Sequence, residues 1–426
     1  MAKMNLLKKK TKTFISLLFI FTLMMLTGCG SAYEPNELSL VQFVGIDRGQ
    51  ENLLEVSFLI AIPQNLAGEN SKGGEGSFLV TVSAPTVFQA LRLANTFVGR
   101  RLSFIHAKGV IFSDIIAKEG LISKLLPTFL QFRETRGTAF VAITEDAPAK
   151  LMEKLVPLLE ANPSRYMELL TQNYAFTGFI SSAQVQDVYN ELKILGMDSV
   201  VTLINLSPEK LPEGEEKGDY KPGGIYTAGE LPKKGGVEIE AIGGAVLKDG
   251  KMVATLNGTE TMIYNMIRGE FNSSFISLPV PQEEKAVINL EIFYARRPQI
   301  KIKLTEQGAV VDLELRFEGN VLGGGTTIDY ALSEDRVILE EAVAKSLKRE
   351  VEKLVAKSQA LGSDILEFGL NARRLVKTVD EWNNLNWDVL FMNSQVNVKV
   401  DFKIRRTSTL FKHAPITTEI VGEGEE

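Results

Sequence analysis

The sequence predicts an α+β protein of three mixed α/β domains with largely antiparallel sheets, the last carrying one long helix packed on its sheet. Three observations predict it. Strand-like and helix-like segments alternate from Leu38 to about Pro208, the mark of mixed layers. Near the end, Val311–Glu318 and Val396–Arg405 alternate apolar and polar residues strictly, which reads as antiparallel sheet with one wet face. Between them Leu339, Val343, Leu347, Val351, Leu354 and Ser358 recur at helical steps within residues 334–360, and charged residues crowd the other faces.

In order, Leu40–Asp47 reads as a strand that ends in a turn at Arg48-Gly49, and Leu53–Ile62 and Phe78–Val82 are further strands. A Gly-, Asn- and Glu-rich loop at 65–77 separates the last two. Pro85–Val98 has helical spacing through Val87, Leu91 and Ala94, and Phe104–Phe112 is again strand-like. Asp114 is placed to cap a helix through Ile115, Ile116, Leu121, Leu125 and Leu126. A strand at Thr138–Ile143, helices around 148–159, 164–174 and 182–195, and a strand at Val200–Leu206 complete an N-terminal α/β domain, residues 38–206.

Residues 207–236, rich in Pro, Gly, Glu and Lys, read as a linker or extended loop. A small middle domain, 237–280, opens with a hairpin over Gly243–Leu256 that turns at Asp249-Gly250, a strong hairpin signal. A helix at 259–268 follows. Residues 281–426 form the C-terminal α+β domain, whose long helix stops at Leu361-Gly362, where glycine can serve as the C-cap.

Ahead of these blocks lies a segment of a different kind. Lys3, Lys8, Lys9, Lys10 and Lys12 precede an apolar run from Phe14 to Leu26, broken only by Ser16 and Thr22, and Leu26-Thr27-Gly28-Cys29 follows at once. The run has 13 residues, short of the ~20 that span a bilayer. Charge, apolar length, small residues and a boundary cysteine together predict a lipoprotein signal: residues 1–28 removed, Cys29 carrying a diacylglyceryl group, and 29–37 forming a lipidated tether. The competing reading is an uncleaved anchor helix with Cys29 incidental. Two acyl chains hold a protein stably where one holds it marginally, and Cys29 is the single cysteine of the chain, so no intrachain disulfide is possible. The expected location is the outer face of the cytoplasmic membrane.

Charge narrows the partners. Removal of residues 1–28 takes five lysines and no acid, leaving 42 basic against 53 acidic side chains. A body this acidic argues against binding nucleic acid or anionic lipid headgroups through a general field. Catalytic constellations are sparse. His106 lies inside the strand-like run and His413 in the polar C-terminal region, neither with a partner at ligand spacing. No HExxH, GxSxG, GxxxxGK[ST] or strand-linked GxGxxG pattern occurs. The clusters Gly73-Gly74, Gly223-Gly224, Gly235-Gly236, Gly243-Gly244 and Gly323-Gly324-Gly325 read as loop flexibility. Glu340 and Glu341 read as solvated helix-face residues, and Trp382 and Trp387 as core or rim packing. Binding or scaffolding is therefore expected rather than catalysis, with no cofactor beyond the lipid on Cys29.

Several stretches in fixed order resemble the Ger(x)C family, the lipoprotein subunits of spore germinant receptors. They are Glu37-Leu38 through Val44-Gly45-Ile46-Asp47, Gly99-Arg100-Arg101-Leu102-Ser103-Phe104-Ile105-His106, and Phe129-Leu130-Gln131-Phe132-Arg133-Glu134. Gly244–Val253, Leu256-Asn257-Gly258-Thr259-Glu260-Thr261, Asp364-Ile365-Leu366-Glu367-Phe368-Gly369 and the strand Val396–Arg405 complete the set. Two features depart from the family: Gly30-Ser31-Ala32 comes between the cysteine and Tyr33-Glu34, and Met262-Ile263 stands where Arg-Gly is usual. The resemblance implies three mixed α+β domains, a place in the inner spore membrane, and integral A-type and B-type receptor subunits as partners. The alternatives are a lipid-anchored solute-binding protein of a transporter, disfavoured by the antiparallel C-terminal block, and an envelope hydrolase, disfavoured by the missing catalytic groups.

Overall fold

The computed structural model describes residues 10–19, 34–62, 76–157, 159–160, 162–209, 219–283, 286–305, 308–324, 326, 328, 330 and 333–407. Residues 10–19 are helical and exposed. No described helix is long and apolar enough to cross a membrane.

Two sheets organise the body. The first has nine strands: β1 Leu38–Arg48, β2 Leu54–Ala61, β3 Ser77–Ala84, β4 Arg101–Ser103, β5 Gly109–Ser113, β6 Phe140–Thr144, β7 Ser199–Leu206, β8 Ile239–Lys248 and β9 Lys251–Leu256. Its order is β3-β2-β1-β5-β6-β7-β8-β9, with β4 beside β1. The centre, β1-β5-β6-β7, is parallel, and both flanks are antiparallel. This follows from composition. β5 and β6 are buried along their whole length, as parallel strands covered on both faces must be.

Helices α1 Val87–Ala94, α2 Asp114–Lys118, α3 Ile122–Gln131 and α7 Val185–Glu191 cover one face. Helices α4 Pro148–Glu153 and α5 Pro163–Gln172 supply Leu151, Met152 and Met167 to the other, and the single turn α6 Tyr174–Thr177 follows α5. The expected helix from Asp114 to Leu126 is two helices, because Gly120 adopts φ +75° between them. Its cap is also one residue earlier: the Ser113 side chain accepts from Ile116 N–H.

The stretch 237–280 is divided rather than a unit of its own. Strands β8 and β9 complete the first sheet, with Asp249 (φ 52°) and Gly250 (φ 79°) both left-handed in the turn between them. Helix α8 Gly258–Arg268 packs into the second core, and β10 Ser273–Pro279 is an edge strand of the second sheet. The division has a simple cause: β8 is buried on both faces and needs β7 as its neighbour. The described part of 207–236 is laid against the body. Ala228 C=O accepts from Asn205 Nδ2, and Gly224 C=O accepts from Thr259 N–H.

The second sheet runs β10-β11-β12-β13, with β11 Val287–Thr305, β12 Gly308–Gly324 and β13 Gln395–Arg406. Helix α9 Ser333–Leu361 lies along it, burying Leu339, Val343, Leu347, Val351, Leu354 and Ser358. Short helices α10 Phe368–Ala372, α11 Val379–Leu385 and α12 Trp387–Met392 lead on to β13. One expectation is corrected: β13 pairs with β12 in parallel. Alternation reports a single covered face and says nothing about direction. Direction is set by α9, about 43 Å long, which returns the chain to the start of β12 as the crossover that parallel neighbours require.

Candidate functional site

The two sheets meet along a polar seam built largely from the stretches singled out by the family resemblance. Gly362 (φ 60°) ends α9 and turns the chain into Ser363 and Asp364. The Asp364 carboxylate accepts from the N–H groups of Leu366, Phe368 and Gly369 and from Trp387 Nε1–H at 2.9 Å. The first-sheet side reaches across to the same turn. Asp198 N–H donates to Asp364 C=O at 3.0 Å, and Lys248 Nζ donates to Gly362 C=O at 2.6 Å. Asp249 N–H donates to the Asp198 carboxylate at 3.3 Å.

Burial raises the Asp364 carboxyl to about 7 against the pull of its four donors. It raises Asp198 to about 6, again against its hydrogen bonds. Both acids are therefore held where their charge is costly.

Close packing reinforces the seam. A Cβ on Gly369 would lie 2.0 Å from Gly196 C=O, and a Cβ on Gly196 would lie 2.7 Å from Trp382 and 2.8 Å from Trp387. The two indoles stack at 5.7 Å, and Trp382 Nε1–H donates to Leu195 C=O. Both tryptophans are thus core residues that brace the seam.

Beside it Arg268, the last residue of α8, has a side chain only 8% exposed. It faces Glu191 at 2.7 Å, Glu270 at 3.1 Å and Glu367 at 3.0 Å, and it lies over the Tyr264 ring. Glu191 also accepts from Ser199 Oγ–H, and Glu270 from Ser182 Oγ–H. Glu191 comes from the first sheet's α7 and Glu367 from the turn after α9, so one guanidinium ties both halves. Glu367 reaches it from a left-handed conformation, φ 61°. Burial lifts the Glu191 pKa, opposed chiefly by Arg268. A cavity of about 340 Å³, lined by Asp187, Glu191, Tyr264, Arg268, Glu270 and Glu367 among others, opens here.

Two further latches join stretches that are distant in sequence. Asn257 and Glu260 form a reciprocal capping box on α8, and Lys357 of α9 donates to Glu260 at 2.8 Å and to Thr255 C=O. Glu134 accepts from Ser103 Oγ–H at 2.8 Å and Phe104 N–H at 2.9 Å. This second latch joins the Phe129–Glu134 stretch to the Gly99–His106 stretch.

Other sequence expectations fare variously. His106 lies in an exposed turn between β4 and β5, because Ala107 N–H closes back on Phe104 C=O. Glu340 is not solvated: it is 4% exposed and accepts from Ile404 N–H and Lys403 Nζ, while Glu341 is exposed. Gly243 and Gly244 are close-packing positions, the former 2.3 Å from Leu256 C=O at its would-be Cβ. Cys29, His413, Gly73-Gly74 and Gly325 lie outside the described residues. Arg268, Glu191 and Asp198 had no motif to announce them, whereas Glu134 closes one of the family stretches; the lone arginine closing the apolar helix Met262–Arg268 was the one local signal for the first three.

Fold and seam define a class: an α+β protein of two sheets joined by buried polar contacts. The family follows from comparison. Residues 31–206 match the spore germination protein N-terminal domain, and residues 242–408 match the spore germination B3/GerAC-like C-terminal domain. The chain belongs to the Ger(x)C family, the C subunits of spore germinant receptors. Spore germination protein KC of Bacillus subtilis (strain 168) is 24% identical over 417 residues, covering 93% of this chain and 96% of its own. Spore germination protein B3 of the same organism is 22% identical over 411 residues, covering 95% and 100%. The crystal structure of the GerBC protein has the same fold, with a TM-score of 0.51 at 14% identity, over 85% of this chain and 96% of that one.

Proposed function

We propose that the protein is the lipidated subunit of a spore germinant receptor, acting in assembly or signalling of the complex and not as an enzyme. Diacylglyceryl Cys29 holds it to the outer face of the cytoplasmic membrane, which in the spore is the inner membrane. There it works beside integral A-type and B-type subunits. The observation that carries this reading is the basic, apolar, Leu26-Thr27-Gly28-Cys29 leader in front of a body that matches both family domains. Two acyl chains suffice for stable attachment. Confinement to a layer over the membrane raises the effective concentration of the body near its partners, so weak contacts suffice for assembly.

The test is Cys29→Ala in sporulating cells. The variant is expected to fold, to leave the membrane fraction and to lose the germination response that depends on this receptor. A variant that stays membrane-bound and germinates normally would overturn the proposal.

A further inference from the structure

If Cys29 is acylated, the tether restricts which side of the body faces the bilayer. Cys29 and Glu34, the first described residue of the body, are five positions apart. An extended chain spans at most about 3.5 Å per residue, so the entry point stays within roughly 20 Å of the lipid. Residues Pro35–Glu37 make one 3₁₀ turn, and β1 then begins at Leu38. Leu38 is the register partner of Arg101 on β4. β4 runs parallel to β1, so the α1–β4 loop flanks the entry, and the turn after β4 lies one short strand, about 10 Å, further along the same edge.

That neighbourhood has an uncommon surface. Phe97 is 62% exposed, Ile105 47%, and Leu93 and Phe88 37% each. Interleaved with them are Arg92, Arg100, His106 and Arg133, all exposed. Arg101 is paired with Glu134 at 3.5 Å, and the entry turn contributes Glu34 and Glu37. On a body with a large excess of acid, the described residues named here bring four arginines against three carboxylates.

The exposed side chains stand on a fixed base. Asn95 Oδ1 accepts from Leu102 N–H and Asn95 Nδ2 donates to Leu91 C=O, both at 2.8 Å. Val98 N–H donates to Ala94 C=O, and the Glu134 latch secures β4 from the other side. A single exposed apolar side chain needs no explanation, but several together with basic residues mark a contact surface. Large apolar side chains with arginines suit a bilayer interface, where rings enter the headgroup–acyl boundary and guanidinium groups meet phosphate.

We propose that this face, with Phe97 and Ile105 at its apolar centre and Arg92 and Arg100 as its basic members, lies on an anionic lipid surface and sets the orientation of the whole body. The proposal rests on the anchored reading of Cys29 and adds to it the side that is turned to the membrane. Basic–apolar contact of this kind weakens with salt, as a lipid anchor alone does not.

The experiment uses the full-length lipidated protein carrying Phe97→Trp, in vesicles of phosphatidylglycerol and phosphatidylcholine with and without brominated acyl chains. Native Trp382 and Trp387, each 3% exposed, give a constant buried background. Pelleting with the vesicles reports the anchor; quenching of the introduced indole reports the face. The expected result is pelleting with quenching by brominated lipid. Adding Arg92→Gln and Arg100→Gln should weaken partition of the face about fivefold per arginine, so most of the quenching is lost while pelleting persists. Pelleting without quenching would overturn the orientation and leave the anchor standing, pointing instead to a protein partner on this face. Failure to pellet would overturn both.

Discussion

Two charged clusters of mirrored composition, one cation among three carboxylates and one carboxylate among three cations, differ in their access to water. In the seam Arg268, 8% exposed, faces Glu191, Glu270 and Glu367. On the outer face of the second sheet Glu314 faces Arg296 at 3.2 Å, Arg316 at 2.6 Å and Lys399 at 3.6 Å, and those cations are 43%, 43% and 63% exposed. Contact distances are alike, so geometry does not distinguish them. On the outer face water screens both the attraction and the loss of a partner, and such pairs contribute little. In the seam Arg268 and Glu191, 8% and 10% exposed, have already lost most of their hydration, so removing one strands the other. The seam is therefore where charge holds the two halves together; the outer face is a solubilising surface.

The most direct way to break this contrast is to remove one arginine from each region. Arg268→Met leaves Glu191 buried without its cation beside Glu270 and Glu367 and is expected to cost about 3–5 kcal/mol, read by urea unfolding at pH 7. The deficit should shrink at low pH, because the stranded carboxylates can then take up protons. Arg316→Met is expected to leave the unfolding midpoint unchanged. Equal effects at the two positions would remove the distinction.

A second prediction tests packing at the seam without touching charge. Gly369→Ala places a methyl group 2.0 Å from Gly196 C=O, backbone against backbone. Neither side can swing away as a flexible side chain could. The expected cost is about 1–3 kcal/mol, at the upper end of the range for overpacking. Gly223→Ala, where nothing lies within 4 Å of the would-be Cβ, serves as the control. A silent Gly369→Ala would mean that the halves have room to separate.

The same contrast explains what could be read from sequence. The α9 stripe, the Asp249-Gly250 hairpin and most strands were legible because each follows from a local rule of period or turn chemistry. The helix break at Gly120 was not: the apolar period continues through it, and the turn shows only in φ. Parallel pairing of β13 was missed because alternation encodes a covered face, whereas direction depends on the path of α9. Glu340 was misplaced because its partners, Ile404 N–H and Lys403, lie more than 60 positions away. Arg268 and Glu191 are 77 positions apart, and Asp198 meets Asp364 only when both halves are folded. Motif resemblance marked Asp364–Gly369 as important without saying why. The structure supplies the reason: it is the turn that both halves grip.

The seam acids give the finest test. Burial lifts Asp364 to about 7 and Asp198 to about 6, both above the ~3.9 of an unfolded aspartate. Between those values the folded chain binds more protons than the unfolded one. Their contribution to stability is therefore fully present below about pH 4 and lost as pH rises through 6 and then 7. Asp198 is the better probe, since Asp364 satisfies four donors that an amide could not all serve. Asp198→Asn keeps an acceptor for Asp249 N–H and removes the titration. Its stability should fall less steeply between pH 4 and 6 than that of the unaltered protein, by at most about 1 kcal/mol per pH unit. Parallel urea-midpoint profiles for the two proteins would mean that Asp198 ionises in the folded chain as it does in water, and that water reaches the seam. The contrast with the outer face would then rest on Arg268 alone.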